Sequence, residues 1–308
     1  MLMDNLYRIK DAVKKIPWMR NWVFFAQSWK ARRLKRRKTE EALAFQKFVD
    51  TAFSNVEEGS LVVNVPNLGG RYEIDFRSHI LLRILRKKQY EPEFVILAGK
   101  HLDPAKDVLD IGANIGLFTV FFAKRIRASR KVLAIEPAPL AQHYLRRNIE
   151  RNEVVSSVIN FEGLVAAQPG RYDLNVIPGK EEYSSLGKIV HSSAVGQDTH
   201  KISVTGDTVD NLVERYHLHP GLIKMDTEGA ELLVLRGAVK TLREEHPVLI
   251  FELSDRLLAS LDCSSEQVLM FLREFGYRLI NPDDLNSAIS SPFEGSILAL
   301  PEIPGKAK

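Results

Sequence analysis

The stretch that most constrains this chain is residues 106–118, where an apolar run breaks at two glycines and then resumes with helical spacing. Residues 108–111 predict a buried strand and residues 117–126 predict a helix packed back on the sheet. Gly112 and Gly116 predict a tight turn between them, in which a ligand can approach backbone that carries no Cβ. The free N–H groups at the helix start would attract an anionic group. This stretch therefore predicts a strand–turn–helix unit that holds a ligand.

The spacing of the turn excludes two common nucleotide-binding motifs. Dinucleotide folds carry G-x-G-x-x-G and phosphate loops carry G-x-x-x-x-G-K-[ST], and the turn has neither. Asp110 stands at its mouth instead, where a carboxylate would repel phosphate and attract a ligand ammonium group. The predicted strand 131–135 ends in Glu136, which is placed to accept hydrogen bonds from ribose hydroxyls. A ligand with an amine, a carboxylate and a ribose but no phosphate is S-adenosylmethionine (SAM). The residues expected to bind it are Asp110, Gly112, Asn114, Gly116 and Glu136.

A second set of acidic residues follows the predicted strand 221–226. Asp226 ends that strand, and Glu228 and Glu231 stand where the chain turns into a helix. Open α/β sheets bind ligands at the carboxyl ends of their strands, so we expect Asp226 and Glu228 to face the same crevice as the glycine turn. Acidic groups also stabilise a helix N-terminus, by roughly 0.3 to 1 kcal/mol, without any role in chemistry. We assign that capping role to Glu231 and keep it as the alternative for the other two.

Five short motifs are distributed along the chain: YEP at 90–92, DIGANIG at 110–116, EP at 136–137, IKMDTEGAE at 223–231 and PVLIFE at 247–252. Together they resemble the FkbM family of SAM-dependent methyltransferases, and the likeness extends from about residue 60 to about residue 300. The resemblance implies a class I, Rossmann-like α/β fold: a doubly wound, mostly parallel seven-stranded sheet with an antiparallel edge hairpin. It also implies methyl transfer from SAM to a hydroxyl of a saccharide or natural-product intermediate.

The resemblance implies further contacts. A predicted β-hairpin at residues 61–76 and the segment around Tyr90 would help to close the cofactor site, so Tyr90 or Glu91 would touch SAM; the alternative is a half-buried aromatic. Glu162 follows a predicted strand where such folds meet the adenine ring; the alternative is a surface carboxylate. The polar excursion 166–215 is of a length that is usually functional, and we expect it to carry acceptor specificity. Candidate acceptor contacts in it are Tyr183, Ser184, Ser185, His191 and His200.

Methyl transfer to a hydroxyl needs a general base, because the oxygen loses its proton during the attack. Asp226 is our first candidate and Glu228 the second, with Glu252 outside that pair at the end of a neighbouring strand. Lys224 either orients a carboxylate or extends along the strand surface as an ordinary lysine. Asp226 and Glu228 offer carboxylate oxygens to a divalent metal, but the sequence shows no clear third ligand beside them.

The basic residues are concentrated at the start of the chain. Residues 1–40 hold twelve Lys or Arg and three Asp or Glu, a balance of +9, which leaves −5 for the rest of the net +4. Three tryptophans at 18–29 precede the basic run 30–38, a composition typical of a segment on an anionic membrane surface. The alternative is a helix that packs on its own domain or on a partner subunit in a homo-oligomer. We therefore predict a helical extension, residues 1–57, before a methyltransferase domain, residues 58–308.

Composition narrows the cellular setting and the rival functions. The single cysteine, Cys263, fits a reducing compartment, and no run of about 18 uncharged apolar residues occurs, so we expect a cytoplasmic protein, peripheral to membranes at most. One rival function is methylation of RNA or protein, although the chain lacks an Asn-Pro-Pro-Tyr signature after the central strand. We therefore do not expect nucleic acid as a partner. Another rival is a membrane-surface protein that binds SAM in a lipid-linked glycan pathway.

Overall fold

The structure, a computed structural model, describes residues 58–178, 180–189, 197–284 and 289–302, with scattered positions between 40 and 55. The chain divides into two compact units, Met1–Glu57 and Glu58–Lys308. In the first unit the described positions from 40 to 51 are helical, as predicted. The tryptophan-rich and basic segments and His191 lie outside the described residues.

Strands and helices alternate through much of the second unit. The strands are β1 (Ser60–Val65), β2 (Gly70–Asp75), β3 (Asp107–Ile111), β4 (Val132–Glu136), β5 (Val158–Glu162), β6 (Leu164–Val165), β7 (Gly170–Val176), β8 (His200–Asp207), β9 (Pro220–Met225), β10 (Val248–Ser254), β11 (Tyr277–Ile280) and β12 (Glu294–Pro301). The helices are α1 (His79–Lys87), α2 (Pro92–His101), α3 (Leu117–Ala123), α4 (Pro139–Arg151), α5 (Val209–Arg215), α6 (Glu231–Arg236), α7 (Val239–Glu244), α8 (Asp255–Leu258) and α9 (Ser265–Glu274).

The central sheet has seven strands in the order β11-β12-β10-β9-β3-β4-β5. All run parallel except β12, which is antiparallel to both of its neighbours. The predicted seven-stranded, mostly parallel sheet with an antiparallel edge pair is therefore confirmed. From β3 the chain proceeds to β4 and β5 on one side, whereas β9 and β10 lie on the other. The strand order thus reverses between β3 and β9, which is where doubly wound sheets bind their ligands.

The interior strands are buried on both faces because helices cover both sides of the sheet. Every residue of β3 and β4 is buried. Helix α3, the helix predicted after the glycine turn, is also buried along its whole length, and its phenylalanines pack edge to face on one another. No helix among the described residues has the length and apolar character needed to cross a bilayer.

Two smaller sheets flank the central one. The predicted hairpin pairs β1 with β2, and the buried Asn148 of α4 fastens it by accepting from the Glu73 N–H (2.6 Å) and donating to the Glu73 carbonyl (3.0 Å). The polar excursion forms more strand than the sequence predicted. Strands β7 and β8 pair along their length, from Gly170 with Gly206 to Val176 with His200, and β6 adds a third strand.

Candidate active site

The glycine turn between β3 and α3 forms as predicted, but its glycines are needed for a different reason from the one we expected. Gly112 and Gly116 have φ of +71° and +85°. We expected glycine because a ligand approaches the turn, but the space that a Cβ would take is filled by protein. At Gly112 a Cβ would lie 1.9 Å from the carbonyl oxygen of Asp226, and at Gly116 it would lie 2.6 Å from Leu145 Cδ1. The glycines let the end of β9 and helix α4 pack directly against the turn.

Glu136 ends β4 beside the turn, as predicted. Its Oε2 accepts from the Asn114 N–H and its Oε1 from the Ala138 N–H, both at 2.8 Å. Burial raises the pKa of the Glu136 carboxyl to about 7, although the hydrogen bonds from the two backbone N–H groups act to lower the pKa. Each carboxyl oxygen keeps a lone pair for a further donor, so the site is suited to a pair of vicinal hydroxyls.

Asp110 lies beneath the turn and not at its mouth, which corrects its predicted position. Its side chain is completely buried, and Oδ2 accepts from Thr119 Oγ1 at 2.6 Å. Oδ1 lies 3.4 Å from the ammonium nitrogen of Lys224. Burial raises the pKa of the Asp110 carboxyl, an effect that the Lys224 ammonium opposes. Asp110 therefore contacts Lys224 and is not among the residues that line the pocket over the turn.

Lys224 connects the turn to the end of β9. Its ammonium donates to the Gly112 carbonyl at 2.9 Å and lies 3.8 Å from Asp226 Oδ2. Burial works to lower the pKa of Lys224, but the nearby carboxylates of Asp110, Asp226 and Glu91 outweigh it, and the pKa is raised. Of the two sequence interpretations, the one in which this lysine orients carboxylates is therefore confirmed.

A cavity of about 920 Å³, here called the turn cavity, opens over the glycine turn. Glu136, Lys224 and the turn residues 112–115 line it on the sheet side, and apolar side chains including Phe118, Leu164 and Val165 line much of the rest. Ser184 and Ser185 from the excursion also line it, and the buried Ser184 hydroxyl has no hydrogen-bond partner among the described residues. The turn cavity is thus a mostly apolar cleft with a few polar groups directed into it, the usual composition of a small-molecule site.

A second cavity of about 850 Å³, here called the acidic cavity, adjoins the first. Its lining carboxylates are Glu91, Glu182, Asp226, Glu228, Glu252 and Glu294. The residues that line both cavities are Ile80, Tyr90, Glu182, Asp226 and Glu228. The two cavities therefore meet at the acidic end of β9.

Tyr90 is buried at this junction. Its ring packs edge to face on Phe118, with centroids 6.3 Å apart. The side chain of Asn67, in the hairpin turn, holds the Tyr90 backbone on both sides: Nδ2 donates to the carbonyl at 2.6 Å and Oδ1 accepts from the N–H at 3.2 Å. Glu91 follows with φ of +39°, and its carboxylate lies 3.5 Å from Arg83. The structure thus places Tyr90 on the cavity wall as a buried aromatic.

The candidate bases differ in their surroundings. The side chain of Asp226 is 52% exposed, whereas Glu228 is largely withdrawn from solvent and has φ of +50°. Burial, with the neighbouring carboxylates of Asp226, Glu231 and Glu252, raises the pKa of Glu228 to about 8. Desolvation and the Asp226 carboxylate raise the pKa of Glu252 to about 7. Glu228 therefore changes protonation state close to neutral pH.

Glu231 is the first residue of helix α6, the position at which an acidic side chain favours the helix dipole, but its side chain caps no helix N–H group. Its Oε1 accepts from Thr227 Oγ1 at 3.0 Å and from the Gly229 N–H at 3.2 Å. Because Glu231 is only 3% exposed, these bonds satisfy polar groups that would otherwise be buried without partners at the helix start.

Two candidate contacts lie outside both cavities, and for Glu162 the alternative, a surface carboxylate, describes the side chain. Glu162 lies exposed at the end of β5, paired with Arg146 on the surface, and the Leu164–Val165 strand forms the nearby cavity wall. His200 starts β8 at an exposed position and lines neither the turn cavity nor the acidic cavity. The edge of a sheet is wider than a ligand, so a residue at a strand end can point away from the crevice.

The structure adds residues that the sequence did not single out. These are His79 and Arg83 of α1, which line the acidic cavity together with Tyr183, a predicted acceptor contact whose hydroxyl lies 2.8 Å from His79 Nδ1. A sequence signal existed for α1, since Arg83 interrupts an apolar helix whose other face is buried. Within the described ranges, no group of three or more His, Cys, Asp or Glu side chains is arranged to hold a metal ion.

Comparison with known sequences identifies relatives. A sequence model of the family described as the Methyltransferase FkbM domain matches residues 110–279. Methyltransferase sdnD of Sordaria araneosa is 30% identical over 45% of this chain, and the match spans 61% of that protein, less than two thirds of its length. The 31-O-demethyl-FK506 methyltransferase FkbM of Streptomyces tacrolimicus is 27% identical over 60% of this chain and 78% of its own.

Solved structures are similar at lower identity. Methyltransferase FkbM from Methylobacillus flagellatus is 17% identical, with a TM-score of 0.42 over 64% of this chain and 44% of that one. An O-methyltransferase from Bacillus cereus in complex with SAH is 15% identical, with a TM-score of 0.40 over 82% of this chain and 97% of that one. The fold assignment itself rests on the strand order.

Proposed function

Because this chain belongs to the FkbM methyltransferase family, we propose that it transfers a methyl group from SAM to a hydroxyl of a small-molecule acceptor, a saccharide or a natural-product intermediate. The observation that carries the proposal is the junction of the two cavities at Asp226 and Glu228. One cavity has features suited to a nucleoside, and the other is open to a second molecule. The name of the Streptomyces relative, which specifies an O-demethyl natural product as its substrate, supports the acceptor class.

The residues of the turn cavity fit SAM. Glu136 has carboxyl oxygens available for ribose hydroxyls, and apolar side chains such as Leu164 and Val165 offer a surface for an adenine ring. Lys224 lines the same cavity and is suited to a carboxylate. The unpartnered Ser184 hydroxyl is available to a polar ligand atom.

SAM, when bound, supplies a methyl group on a sulfonium sulfur; the new C–O bond forms as the C–S bond breaks. In our proposal the chain holds the acceptor hydroxyl in place and takes up its proton. Correct placement of the acceptor oxygen with water excluded can supply on the order of 7 to 11 kcal/mol. The hydroxyl proton passes to a carboxylate, Glu228 or Asp226. The pKa of Glu228, about 8, favours it as the base, since a base is most effective when its pKa lies near the working pH.

The cofactor part of the proposal is tested by calorimetric titration with SAM. We expect Glu136→Gln to weaken binding at least tenfold, on the order of 1.4 kcal/mol or more, because hydrogen bonds to a charged acceptor are lost. Glu162→Gln is the matched control, since Glu162 is a surface glutamate at the end of the next strand. Equal SAM affinity in the parent and both variants would count against SAM in this cavity.

The chemical part is tested with labelled SAM, candidate glycans and cell extract, followed by mass spectrometry of the methylated product. A methyl group on oxygen supports the proposal, and one on nitrogen contradicts it. We expect Glu228→Gln or Asp226→Asn to keep SAM affinity and to lower turnover roughly 10²- to 10⁴-fold, the usual contribution of a general base. Near-normal turnover in both variants would remove both residues from that role.

A further inference from the structure

We propose that the acceptor carries a positively charged amine, which the carboxylates beside the methyl-transfer junction recognise. This inference rests on the proposed function and deepens it by naming the charge of the substrate. Six carboxylates line the described part of the acidic cavity, against the basic side chains Arg83, Arg256 and His79. Arg83 already lies 3.5 Å from one of those carboxylates, Glu91.

A smaller space of about 370 Å³, here called the acidic recess, adjoins the acidic cavity. It supports the inference because the described residues that line it include carboxylates and no basic residues. Its lining carboxylates are Asp226, Glu228, Glu231, Glu252 and Glu294, and its other described lining residues, which include Ser254, contribute no basic side chain. An ammonium group with three donors matches such a set of acceptor oxygens.

The second observation is an unpartnered oxygen on Glu231, a residue of the recess wall that is 3% exposed. Its Oε1 accepts from Thr227 and Gly229, whereas its Oε2 is buried and has no hydrogen-bond partner among the described residues. A buried carboxylate oxygen without a donor has lost its hydrogen bonds to water and gained none in return, which destabilises the folded protein. A donor supplied by a ligand in the recess would remove that cost.

Two other carboxylates of the recess have no positively charged partner in the part of the chain that the structure describes. The carboxylates of Glu228 and Glu252 form no ion pair or hydrogen bond within the described residues, and the mutual repulsion of the set helps to raise the pKa of both. A cation in the recess would reverse that effect, because an opposite charge within about 4 to 6 Å favours the ionised carboxylate. The same field would repel phosphates and carboxylates, which argues against nucleic acid and lipid-linked pyrophosphate as acceptors.

The experiment follows the charge of the methylated product. The full chain is incubated with labelled SAM and the small-molecule extract of its source organism, and the labelled product is passed over cation and anion exchangers at pH 7. Retention on the cation exchanger supports the inference. A neutral or anionic product overturns it while leaving the proposed function intact. Absence of any labelled product, together with absence of SAM binding by calorimetry, contradicts the proposed function itself.

Variants of the recess give an independent test with the same acceptor. We expect Glu294→Gln and Glu252→Gln to raise KM for the cationic acceptor at least tenfold, with SAM affinity close to that of the parent. Glu266→Gln, an exposed glutamate on α9, is the matched control and should leave KM unchanged. An unchanged KM in both recess variants, or a neutral analogue of the acceptor with the same KM, would overturn the inference.

Discussion

The absence of a side chain at Gly112 decides how closely the end of β9 approaches the turn. The sequence showed a glycine, and ligand approach was the natural explanation. The close neighbour is the Asp226 carbonyl, from the residue that follows β9. Gly112 therefore fixes the distance between the turn that we assign to SAM and the first of the candidate bases.

We expect Gly112→Ala to lower the free energy of unfolding by more than about 3 kcal/mol, since backbone must move and a positive φ is strained for alanine. Gly276→Ala is the matched control, because Gly276 has nearly the same φ, +73°, but its Cβ would meet nothing closer than the Glu302 carbonyl at 4.0 Å. That variant should lose only about 1 to 2 kcal/mol. Equal losses in urea denaturation would show that φ alone matters at residue 112.

Glu228 is a second single residue with a predictable effect: the titration of its carboxyl makes the stability of the folded protein depend on pH. Its pKa rises from 4.5 in the unfolded chain to about 8 in the folded protein. Between those values the folded protein holds a proton that the unfolded chain has released, so stability falls as the pH rises. Glutamine cannot ionise and avoids this loss.

We therefore expect Glu228→Gln to be more stable than the parent at pH 8, by on the order of 2 kcal/mol, and to differ little near pH 5. Urea denaturation at several pH values measures the difference, with Glu266→Gln as an exposed control whose difference from the parent should stay constant. A gain for Glu228→Gln that does not grow between pH 5 and pH 8 would contradict the shifted pKa.

At the scale of elements, the hairpin β1–β2 completes the site without contributing to the central sheet. Asn148 of α4 fastens its second strand, and Asn67 in its turn holds the backbone of Tyr90. The hairpin therefore positions the aromatic ring that lies between the two cavities. Residues distant in sequence meet here because α4 packs under the hairpin.

We expect Asn67→Ala to weaken SAM binding about tenfold and to cost about 1 to 2 kcal/mol of stability, since two polar groups of Tyr90 lose their partner. Asn64→Ala, at an exposed position of the same hairpin, should change neither quantity. Calorimetry with SAM and thermal unfolding measure the two effects. Unaltered SAM affinity in Asn67→Ala would show that the hairpin turn does not position Tyr90 for binding.

At the scale of the whole molecule, charge divides the chain into a basic start and an acidic remainder, +9 for residues 1–40 and −5 for residues 41–308. A basic segment rich in tryptophan binds anionic membrane surfaces with an affinity that falls as salt screens the charges. We propose that this segment brings the enzyme to such a surface. Packing on the enzyme's own domain or on a second subunit is the competing arrangement.

We expect the full chain to sediment with phosphatidylserine-containing vesicles at low salt, to be released at high salt, and to stay in the supernatant when residues 1–40 are deleted. Neutral phosphatidylcholine vesicles are the control and should not retain the full chain. Equal partitioning of both forms of the chain would end the membrane proposal and favour packing on protein.

The sequence by itself determined the strand–turn–helix unit and the two strand ends where the polar groups gather. These features follow from local periodicity and from glycines. Both act over only a few residues, so they can be recognised from short stretches of sequence. The hairpin was also predictable, because it joins segments that are near in sequence. The α/β class and the closing antiparallel pair were implied by the resemblance to the FkbM family.

Only the tertiary structure decided which polar side chains face the cavities. Asp110 points down to Lys224, which lies 114 positions later, and Glu162 points out to Arg146. The acidic recess likewise forms because β9, β10 and β12 bring their acidic ends together. The direction of a side chain and the charge around it depend on packing between distant segments, and no local pattern contains that information.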